Sequence, residues 1–336
     1  MIDWNKLQEQ LAKIKEIVIV SHRSPDGDSV GSSLAMKHFL SKLGHQVQVI
    51  TPDPAPAFLN FLTGFDAILD GVSHQKEVEI KIASAQIIIA LDFNSLDRLG
   101  GIEEIVKSNS SAYLINIDHH QEPKDFADFQ LSDPKASSTC QLIYEFIENL
   151  DQLDKVDISG GECMYTGLVT DTGSFRFSST SEKTHKVAAF LLKIGVDTTK
   201  VYERIYDSFS IDRLKLMGFA LNERFNYYKK YSTGIIHLCE QDLNQFNFRK
   251  GDTEGLVNYP LSVKEIKMAI LITEKDGKVK MSFRSKGNFH VNELAKEYFN
   301  GGGHYNAAGG ISDLSVSETV KKIEKLLPSY ETELTD

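Results

Sequence analysis

Residues 17–50 read IVIVSHRSPDGDSVGSSLAMKHFLSKLGHQVQVI, and this stretch decides the fold. Its first apolar run, Ile17–Ser21, predicts a buried strand, and its last, Val47–Ile50, predicts another. Between them, apolar residues at helical spacing followed by Gly44 predict a helix over Ser29–Leu43. A strand, a helix and a strand in this order form a βαβ unit, whose two strands lie parallel in one sheet.

The alternation of strand and helix continues beyond this unit. The apolar runs Ile87–Leu91 and Tyr113–Ile117 lack a strict polar–apolar alternation, as strands buried on both faces do. Residues 140–150 and 162–170 have helical patterns. We therefore predict an α/β fold for this part of the chain, in which a mainly parallel sheet carries helices on both faces.

A second region with a different pattern begins near Gly234. Ile266–Thr273 and Val279–Arg284 flank Asp276-Gly277, a residue pair that is typical of hairpin turns. A helix is predicted near Val291–Phe299. These elements indicate a smaller C-terminal domain, again of α/β type.

The patterns divide the chain into three parts and a tail. We predict an N-terminal α/β domain over 1–185, a helical linker over 186–232 and a smaller C-terminal domain over 233–330. The last residues, Glu331–Asp336, are expected to form a frayed acidic tail. The active site is expected in the cleft between the two domains.

Composition bounds the class of protein. The 336 residues are 41% hydrophobic and carry a net charge of -10, which suits a globular protein and disfavours binding to a long nucleic-acid lattice. No apolar run is long enough to span a membrane, and the N-terminus predicts no signal peptide. The scattered Cys140, Cys163 and Cys239 form no CxxC pair, which favours a reducing cytoplasm and disfavours a cysteine metal site.

Four segments place carboxylates or histidines just after an apolar run. These candidate residues are His22, Asp26, Asp28, Asp92, Asp118, His119, His120 and Asp171. Ligands bind at the carboxyl ends of strands in an open parallel sheet, so the first three groups are expected to converge. Asp171 is expected at a helix end aimed at the same place. Taken singly, Asp92 is better interpreted as a helix N-cap or turn residue, and Asp26-Gly27-Asp28 could be a turn with an Asx cap.

The candidate residues are chemically consistent with one another. Carboxylates with a minority of imidazoles and no thiolates suit Mn²⁺, Mg²⁺, Co²⁺ or Fe²⁺ rather than structural zinc. Six or seven such ligands are too many for one ion unless one of them bridges a pair. Two ions about 3.5–4 Å apart are the common arrangement for in-line displacement at phosphorus. The pattern therefore predicts a two-metal phosphoesterase.

The same segments resemble the DHH/DHHA1 family of phosphoesterases. The sequence His22-Arg23-Ser24-Pro25-Asp26-Gly27-Asp28-Ser29 is similar to the first motif of that family, and Asp118-His119-His120 to the triplet that names it. Asp92 and Thr170-Asp171-Thr172-Gly173 resemble two further motifs. Gly301–Gly309 resembles the signature of the DHHA1 domain. Among subfamilies, the chain looks like the NrnA-type enzymes, which are nanoRNases that also act as phosphatases of 3′-phosphoadenosine-5′-phosphate (pAp).

The resemblance implies a role for each candidate residue. His22 and Asp26 would hold a first ion, Asp28, His119 and Asp171 a second, and Asp92 would bridge the pair, with Mn²⁺ favoured over Mg²⁺ or Co²⁺. His120 would lie near the scissile phosphate as a hydrogen-bond donor or acid, and Asp118 would orient the histidine ligands. The implied substrates are dinucleotides, other short RNA and pAp. Residues expected to bind them are Arg284, Ser285, Lys286, Gly302, Gly303 and His304.

Other readings of the chain stay open. The nearest is a phosphodiesterase of cyclic or linear dinucleotides used in signalling, and another is a nucleotide-binding regulator without catalysis. A family II pyrophosphatase would lack the Gly301–Gly309 signature, and a long-strand exonuclease would need a basic surface. The glycines of 301–303 read alternatively as a tight turn. Cleavage polarity is left open, as is assembly into a homodimer.

Overall fold

The structure, a computed structural model, describes residues 3–335. The chain divides into two compact units, Met1–Ser208 and Phe209–Asp336. This division falls within the segment 186–232, for which the sequence predicts a helical linker. Each unit is described by itself below as unit 1 and unit 2.

In the described part of unit 1, six strands form one parallel sheet. The strands are β1 (Glu16–Ser21), β2 (Gln46–Thr51), β3 (Leu69–Asp70), β4 (Ile87–Leu91), β5 (Tyr113–Asp118) and β6 (Phe129–Ser132). Their order is β3-β2-β1-β4-β5-β6, and all neighbouring pairs are parallel. The predicted parallel α/β architecture is confirmed.

Helices cover both faces of this sheet. They are α1 (Trp4–Leu11), α2 (Gly27–Lys42), α3 (Gln75–Ser84), α4 (Glu103–Ser108), α5 (Thr139–Asn149), α6 (Ile158–Asp171), α7 (Glu182–Lys193) and α8 (Thr198–Tyr206). Successive side chains of a strand point to opposite faces. Accordingly, Ile17 and Ile19 of β1 join a core with α2, α5 and α6, whereas Val18 and Val20 join a second core with α3 and α4. Burial on both faces explains the continuous apolar runs in the sequence.

The strand order fixes where a ligand site can form. The chain leaves β1 for β2 on one side, and β4 then lies on the other side of β1, so the order reverses between β1 and β4. Loops leaving the carboxyl ends of strands diverge at such a point and open a crevice. His22 and Asp92 directly follow these two strands.

Unit 2 contains a mixed sheet. Its strands are β7 (Phe225–Tyr228), β8 (Thr233–Leu238), β9 (Met268–Lys275), β10 (Lys278–Ser285), β11 (Gly302–His304) and β12 (Ala307–Ser312), in the order β11-β12-β10-β9-β8-β7. Among the described strands of unit 2, β8 and β9 form the one parallel pair. Its helices are α9 (Ile211–Glu223), α10 (Glu240–Gln245), α11 (Asn258–Leu261), α12 (Val291–Tyr298), α13 (Val316–Leu326) and α14 (Glu331–Thr335).

The hairpin predicted in this unit is present. Strands β9 and β10 are antiparallel, and the turn residues Asp276 and Gly277 have φ of 52° and 70°. Positive φ at both turn residues matches the right-handed twist of the strands, which is why an Asp-Gly pair suits this position.

The expectation of a frayed tail is wrong for residues 331–335. They form α14, and Leu334 is fully buried in the core of unit 2. Burying one large apolar side chain stabilises a short helix that its acidic composition alone would not hold. Asp336 lies outside the described residues. Among residues 3–335, no helix combines the length and apolar character that crossing a bilayer requires.

Candidate metal centre

The loop after β1 presents His22 and Asp26. The Nδ1–H of His22 donates to the carbonyl of Arg23 at 2.8 Å, which leaves the lone pair of Nε2 to face the site. Asp26 caps helix α2, because its Oδ1 accepts the backbone N–H groups of Asp28 at 3.1 Å and Ser29 at 3.0 Å. The other oxygen of Asp26, Oδ2, lies 3.8 Å from His22 Nε2.

Asp92 lies at the centre of the candidate residues. It directly follows β4, has a positive φ of 67° and is 2% exposed. Its Oδ2 lies 3.3 Å from His22 Nε2, while its Oδ1 lies 3.5 Å from His119 Nε2. The two oxygens therefore face different histidines.

The two histidines after β5 are held differently. His119 Nδ1 contacts the carbonyl of Ala136 at 3.2 Å, which turns Nε2 to within 3.2 Å of Asp171 Oδ2. His120 Nδ1 instead donates to Asp118 Oδ1 at 2.7 Å. The sequence led us to expect Asp118 to orient the histidine ligands. In the structure its hydrogen bond goes to His120, the candidate acid, and a backbone carbonyl orients His119.

Helices α2 and α6 bring Asp28 and Asp171 to the same place. Asp171 is the last residue of α6, and Asp28 lies in the first turn of α2. A Cβ added at Gly167 of α6 would lie 2.5 Å from Asp28 Oδ1, and one added at Gly31 of α2 would lie 2.6 Å from a backbone oxygen of α6. The two helices thus approach more closely than side chains at these positions would allow.

One contributor was missed by the sequence analysis. Thr139 begins α5, and its hydroxyl donates to Asp92 Oδ1 at 2.9 Å. Its backbone N–H donates to Asp28 Oδ2 at 2.6 Å, and that of Cys140 to Asp28 Oδ1 at 3.0 Å. Ser137-Ser138-Thr139 is recognisable in the sequence as a helix start, but a contact with residues more than 40 positions away is not.

Burial and the charges of these residues strongly shift the pKa values of several of them. Burial alone would lower the pKa of His22, but the hydrogen bond to Asp92 and the negative charges of Asp26 and Asp92 together outweigh it and raise that pKa to about 9. Burial likewise opposes protonation of His119, yet Asp171 and Asp92 raise its pKa well above the ordinary value. Burial raises the pKa of Asp171 to about 6, and burial with the nearby carboxylates raises that of Asp28 well above its usual range. The desolvation of Asp92 acts in the same direction, but His119 and His22 hold its pKa well below the usual range.

The donor set fits a pair of divalent cations. His22, Asp26 and Asp92 each place one ligand atom within 4.8 Å of the others, and so do Asp28, His119 and Asp171. The Oδ1 of Asp92 also faces Nε2 of His119, which belongs to the second group. Oxygen and imidazole donors of this kind suit Mn²⁺ and related ions, whose charge would replace the protons that the buried carboxylates and imidazoles share.

The substrate-binding residues expected from the sequence lie at or beside the ends of nearby strands in unit 2, where Arg284 of β10 and His304 of β11 both pair with Ala307 of β12. Arg284 and Ser285 end β10, and the Ser285 hydroxyl donates to the carbonyl of Phe289 at 2.6 Å. Lys286 follows directly, and its Nζ donates to the carbonyl of Val263 at 2.9 Å. Ser285 and Lys286 therefore also stabilise the local backbone.

The glycine cluster forms a strand rather than a tight turn. Gly302, Gly303 and His304 make up β11, which pairs with Ala307–Gly309 of β12. Gly303 has a φ of 146°, and a Cβ there would lie 2.5 Å from the carbonyl oxygen of Ala307. Gly302 has open space around its Cβ position. Close strand pairing accounts for Gly303, while nothing crowds the Cβ position of Gly302.

Comparison with known proteins finds a matching family for each of the two units. Residues 16–168 match the DHH family, N-terminal domain, and residues 233–332 match the DHHA1 domain. A protein named bifunctional oligoribonuclease and PAP phosphatase NrnA from Bacillus subtilis is 27% identical over 87% of this chain and 88% of its own length. A protein of the same name from Thermus thermophilus is 29% identical over 99% and 95%.

A solved structure is similar to this chain over nearly its whole length. It is described as an exopolyphosphatase-related protein from Bacteroides fragilis, is 38% identical and has a TM-score of 0.95. The match covers 99% of this chain and 97% of that chain. The chain therefore belongs to the DHH family, with a DHH domain in unit 1 and a DHHA1 domain in unit 2.

Proposed function

We propose that this chain is a two-metal phosphoesterase that hydrolyses short oligoribonucleotides to mononucleotides and pAp to AMP, with Mn²⁺ as its ion. Hydrolysis of phosphoester bonds is the activity of the named DHH relatives. The observation that carries the proposal is the pair of ligand groups that meet at Asp92. A carboxylate whose two oxygens face two ligand groups is suited to bridging two ions.

The ligand residues would divide between the two ions. His22 and Asp26 would hold one, and Asp28, His119 and Asp171 the other, in the groups that the structure brings together. When bound, two such ions stabilise the charge that develops on the phosphoryl oxygens and lower the pKa of an attacking water molecule.

His120 supplies the proton for the leaving group in this proposal. Attack of water at phosphorus forms one P–O bond and breaks another. The departing oxygen takes up a proton from His120 Nε2, and the proton that the water loses passes to solvent, from which His120 regains one. The carboxylate of Asp118 accepts the Nδ1–H of His120 at 2.7 Å and so orients the ring for this transfer. Asp118 is fully buried, so the low local dielectric strengthens this contact.

The preference for short substrates is proposed to come from Arg284. Its guanidinium, at the end of β10, offers two parallel N–H donors to a terminal phosphate. Ser285 and Lys286 would add hydroxyl and ammonium donors, while Gly302, Gly303 and His304 would contribute backbone N–H groups and one imidazole. Anchoring a terminal phosphate would leave only one phosphoester bond within reach of the ions.

The first test is a substrate panel with Mn²⁺ present. The panel contains pAp, a 5′-phosphorylated dinucleotide, a 20-nucleotide single strand, a cyclic dinucleotide and inorganic pyrophosphate, with Asp92→Asn as the inactive control. Rapid release of AMP from pAp and of mononucleotides from the dinucleotide, with slow turnover of the long strand, is expected. Preference for the cyclic dinucleotide would assign the chain to signalling instead. No turnover of any substrate would favour a binding protein without catalysis.

A variant of unit 2 tests the anchor separately. Arg284→Ala is expected to raise KM for the dinucleotide and pAp roughly 10–100-fold, as the loss of a charge-assisted bidentate contact implies. The slow rate on the 20-nucleotide strand should change little. Equal effects on short and long substrates would contradict the role of Arg284 in selecting by length.

A further inference from the structure

We propose that Thr139 is a positioning residue that sets the orientation of the Asp92 carboxylate between the two ion sites. The inference rests on the proposed function, and it concerns a residue outside the ligand groups. Thr139 is fully buried, and its hydroxyl donates to Asp92 Oδ1 at 2.9 Å. The other oxygen of Asp92 faces His22 at 3.3 Å.

The hydroxyl distinguishes the two oxygens of Asp92. A carboxylate rotates about its bond to Cβ, and a bridging role is favoured by the orientation of its plane that turns one oxygen toward each ion site. The Asp92 Oδ1 that receives the Thr139 hydroxyl is the oxygen that lies 3.5 Å from His119. The hydrogen bond therefore opposes rotation of the carboxylate plane away from this orientation. Hydrogen-bond partners that orient a ligand in this way commonly change metal affinity when they are removed.

The backbone N–H of Thr139 also donates to a carboxylate of the second ion site. The N–H of Thr139 and that of Cys140 donate to the two oxygens of Asp28, at 2.6 and 3.0 Å. One helix start thus holds the bridging carboxylate with a side chain and a carboxylate of the second group with its backbone. The positive end of the helix dipole also favours this buried negative charge.

A polar network fixes the start of α5. Ser138 caps the helix by accepting the backbone N–H of Gln141 at 3.0 Å. The side-chain oxygen of Gln141 accepts the hydroxyls of Ser137 at 2.8 Å and Thr184 at 3.0 Å. Thr184 lies in α7, so Thr139 is held in place by contacts on two helices. A residue on a rigid element can orient a ligand more tightly than a residue on a loop.

The test compares variants that differ by one hydroxyl. Thr139→Val keeps the shape of threonine and the backbone contacts to Asp28 while removing the donor. Thr184→Val is the matched control, because it removes a buried threonine hydroxyl from the same network without touching a carboxylate. Mn²⁺ affinity is measured by electron paramagnetic resonance of the free ion, and the signal of magnetically coupled Mn²⁺ pairs is recorded in the same titration. Melting temperatures are measured alongside.

We expect Thr139→Val to weaken Mn²⁺ binding by about 10–100-fold and to reduce the coupled-pair signal. Thr139→Ser, which keeps the hydroxyl, should bind close to the wild-type level. Thr184→Val should lower the melting temperature and change Mn²⁺ affinity much less than Thr139→Val does, because it acts on Asp92 only through the helix start. Wild-type affinity in Thr139→Val, or an equal loss of affinity in Thr184→Val, would overturn the inference.

A second pair covers the case in which the valine variant does not fold. Thr139→Ala and Thr139→Ser both lack the methyl group and differ only in the hydroxyl. Weaker binding in the alanine variant supports the inference, and equal binding overturns it. If the wild-type chain itself bound no Mn²⁺, the proposed function would fail along with the inference. A failure of the inference alone shows wild-type binding with no difference between paired variants.

Discussion

At the scale of single residues, the hydrogen-bond partner of Nδ1 differs between two adjacent histidines, and with it the role proposed for each. The Nδ1 atom of His119 contacts the carbonyl of Ala136, which leaves its Nε2 available as a ligand atom. The Nδ1–H of His120 donates instead to the carboxylate of Asp118 at 2.7 Å. An ion binds an imidazole nitrogen that carries no proton, whereas a leaving oxygen takes a proton from an imidazole nitrogen that carries one. The partner atom, rather than the residue type, separates the two roles.

Asp118→Asn tests this separation of roles. We expect kcat on pAp to fall by about 10²–10⁴-fold, because an amide oxygen holds the Nδ1–H of His120 less firmly than a carboxylate does and the ring is then poorly oriented for proton transfer. His120→Gln should cause a loss of similar size. The double variant should be little worse than either single variant, since the two residues act as one unit. Mn²⁺ affinity should stay near the wild-type level in all three variants. Losses that multiply, or a loss of Mn²⁺ binding, would place Asp118 and His120 in separate roles.

At the scale of elements, the pairing of α2 with α6 sets the distance between ligand residues. Gly31 lies where a side chain would press on the backbone carbonyl of Cys163, at 2.6 Å from an added Cβ. Backbone atoms of a buried helix cannot move aside as the end of a flexible side chain can. The separation of the two helices, and with it the position of Asp28 relative to Asp171, therefore depends on glycine.

Gly31→Ala is expected to destabilise the protein by about 1–3 kcal/mol, as overpacking of a buried contact does. The matched control is Gly218→Ala in α9, where an added Cβ meets no atom within 4 Å. That change should be neutral or should stabilise by up to about 1 kcal/mol, because alanine favours the helix over glycine. Denaturant unfolding of both variants measures the difference. A Gly31→Ala variant as stable as wild type would show that the helices can separate without cost.

Elements differ in how far the sequence predicts them. Strands β1, β4 and β5 could be predicted because burial on both faces leaves a nearly continuous apolar run, and β2 could be predicted from its apolar residues Val47, Val49 and Ile50. The edge strands β3 and β6 were missed, since Leu69–Asp70 and Phe129–Ser132 are short and mostly half-buried. Helix α14 was missed because its order depends on a single buried side chain, Leu334.

The residues of the candidate site also differ in how far the sequence predicts their contacts. Residues directly after apolar strands, such as Asp92 and His119, could be proposed from the sequence because parallel strands end at one edge. The contact of Thr139 with Asp92 could not, since it depends on where α5 begins relative to β4. The pairing of Asp118 with His120 could not be predicted either. Neighbouring residues in a motif leave open which side chains face each other.

At the scale of the whole molecule, the two units have separate hydrophobic cores. The sheet of unit 1 packs against its own helices on both faces. The sheet of unit 2 likewise packs against buried residues of its own helices, including Leu216 on one face and Leu294 on the other. A unit with its own core can fold alone. All six proposed metal ligands belong to unit 1.

This division predicts which part of the chain Mn²⁺ stabilises. At a free concentration 100 times the dissociation constant, a ligand that binds one site of the folded state adds about 2.7 kcal/mol to the free energy of unfolding. We therefore expect Mn²⁺ to raise the melting temperature of the full chain, and Asp92→Asn to remove most of that rise. A fragment of residues 209–336 should unfold cooperatively on its own, at a temperature that Mn²⁺ does not change. A fragment stabilised as strongly as the full chain would place a principal ion site in unit 2 and contradict the ligand assignment, whereas a fragment that fails to fold would contradict the independence of the two cores.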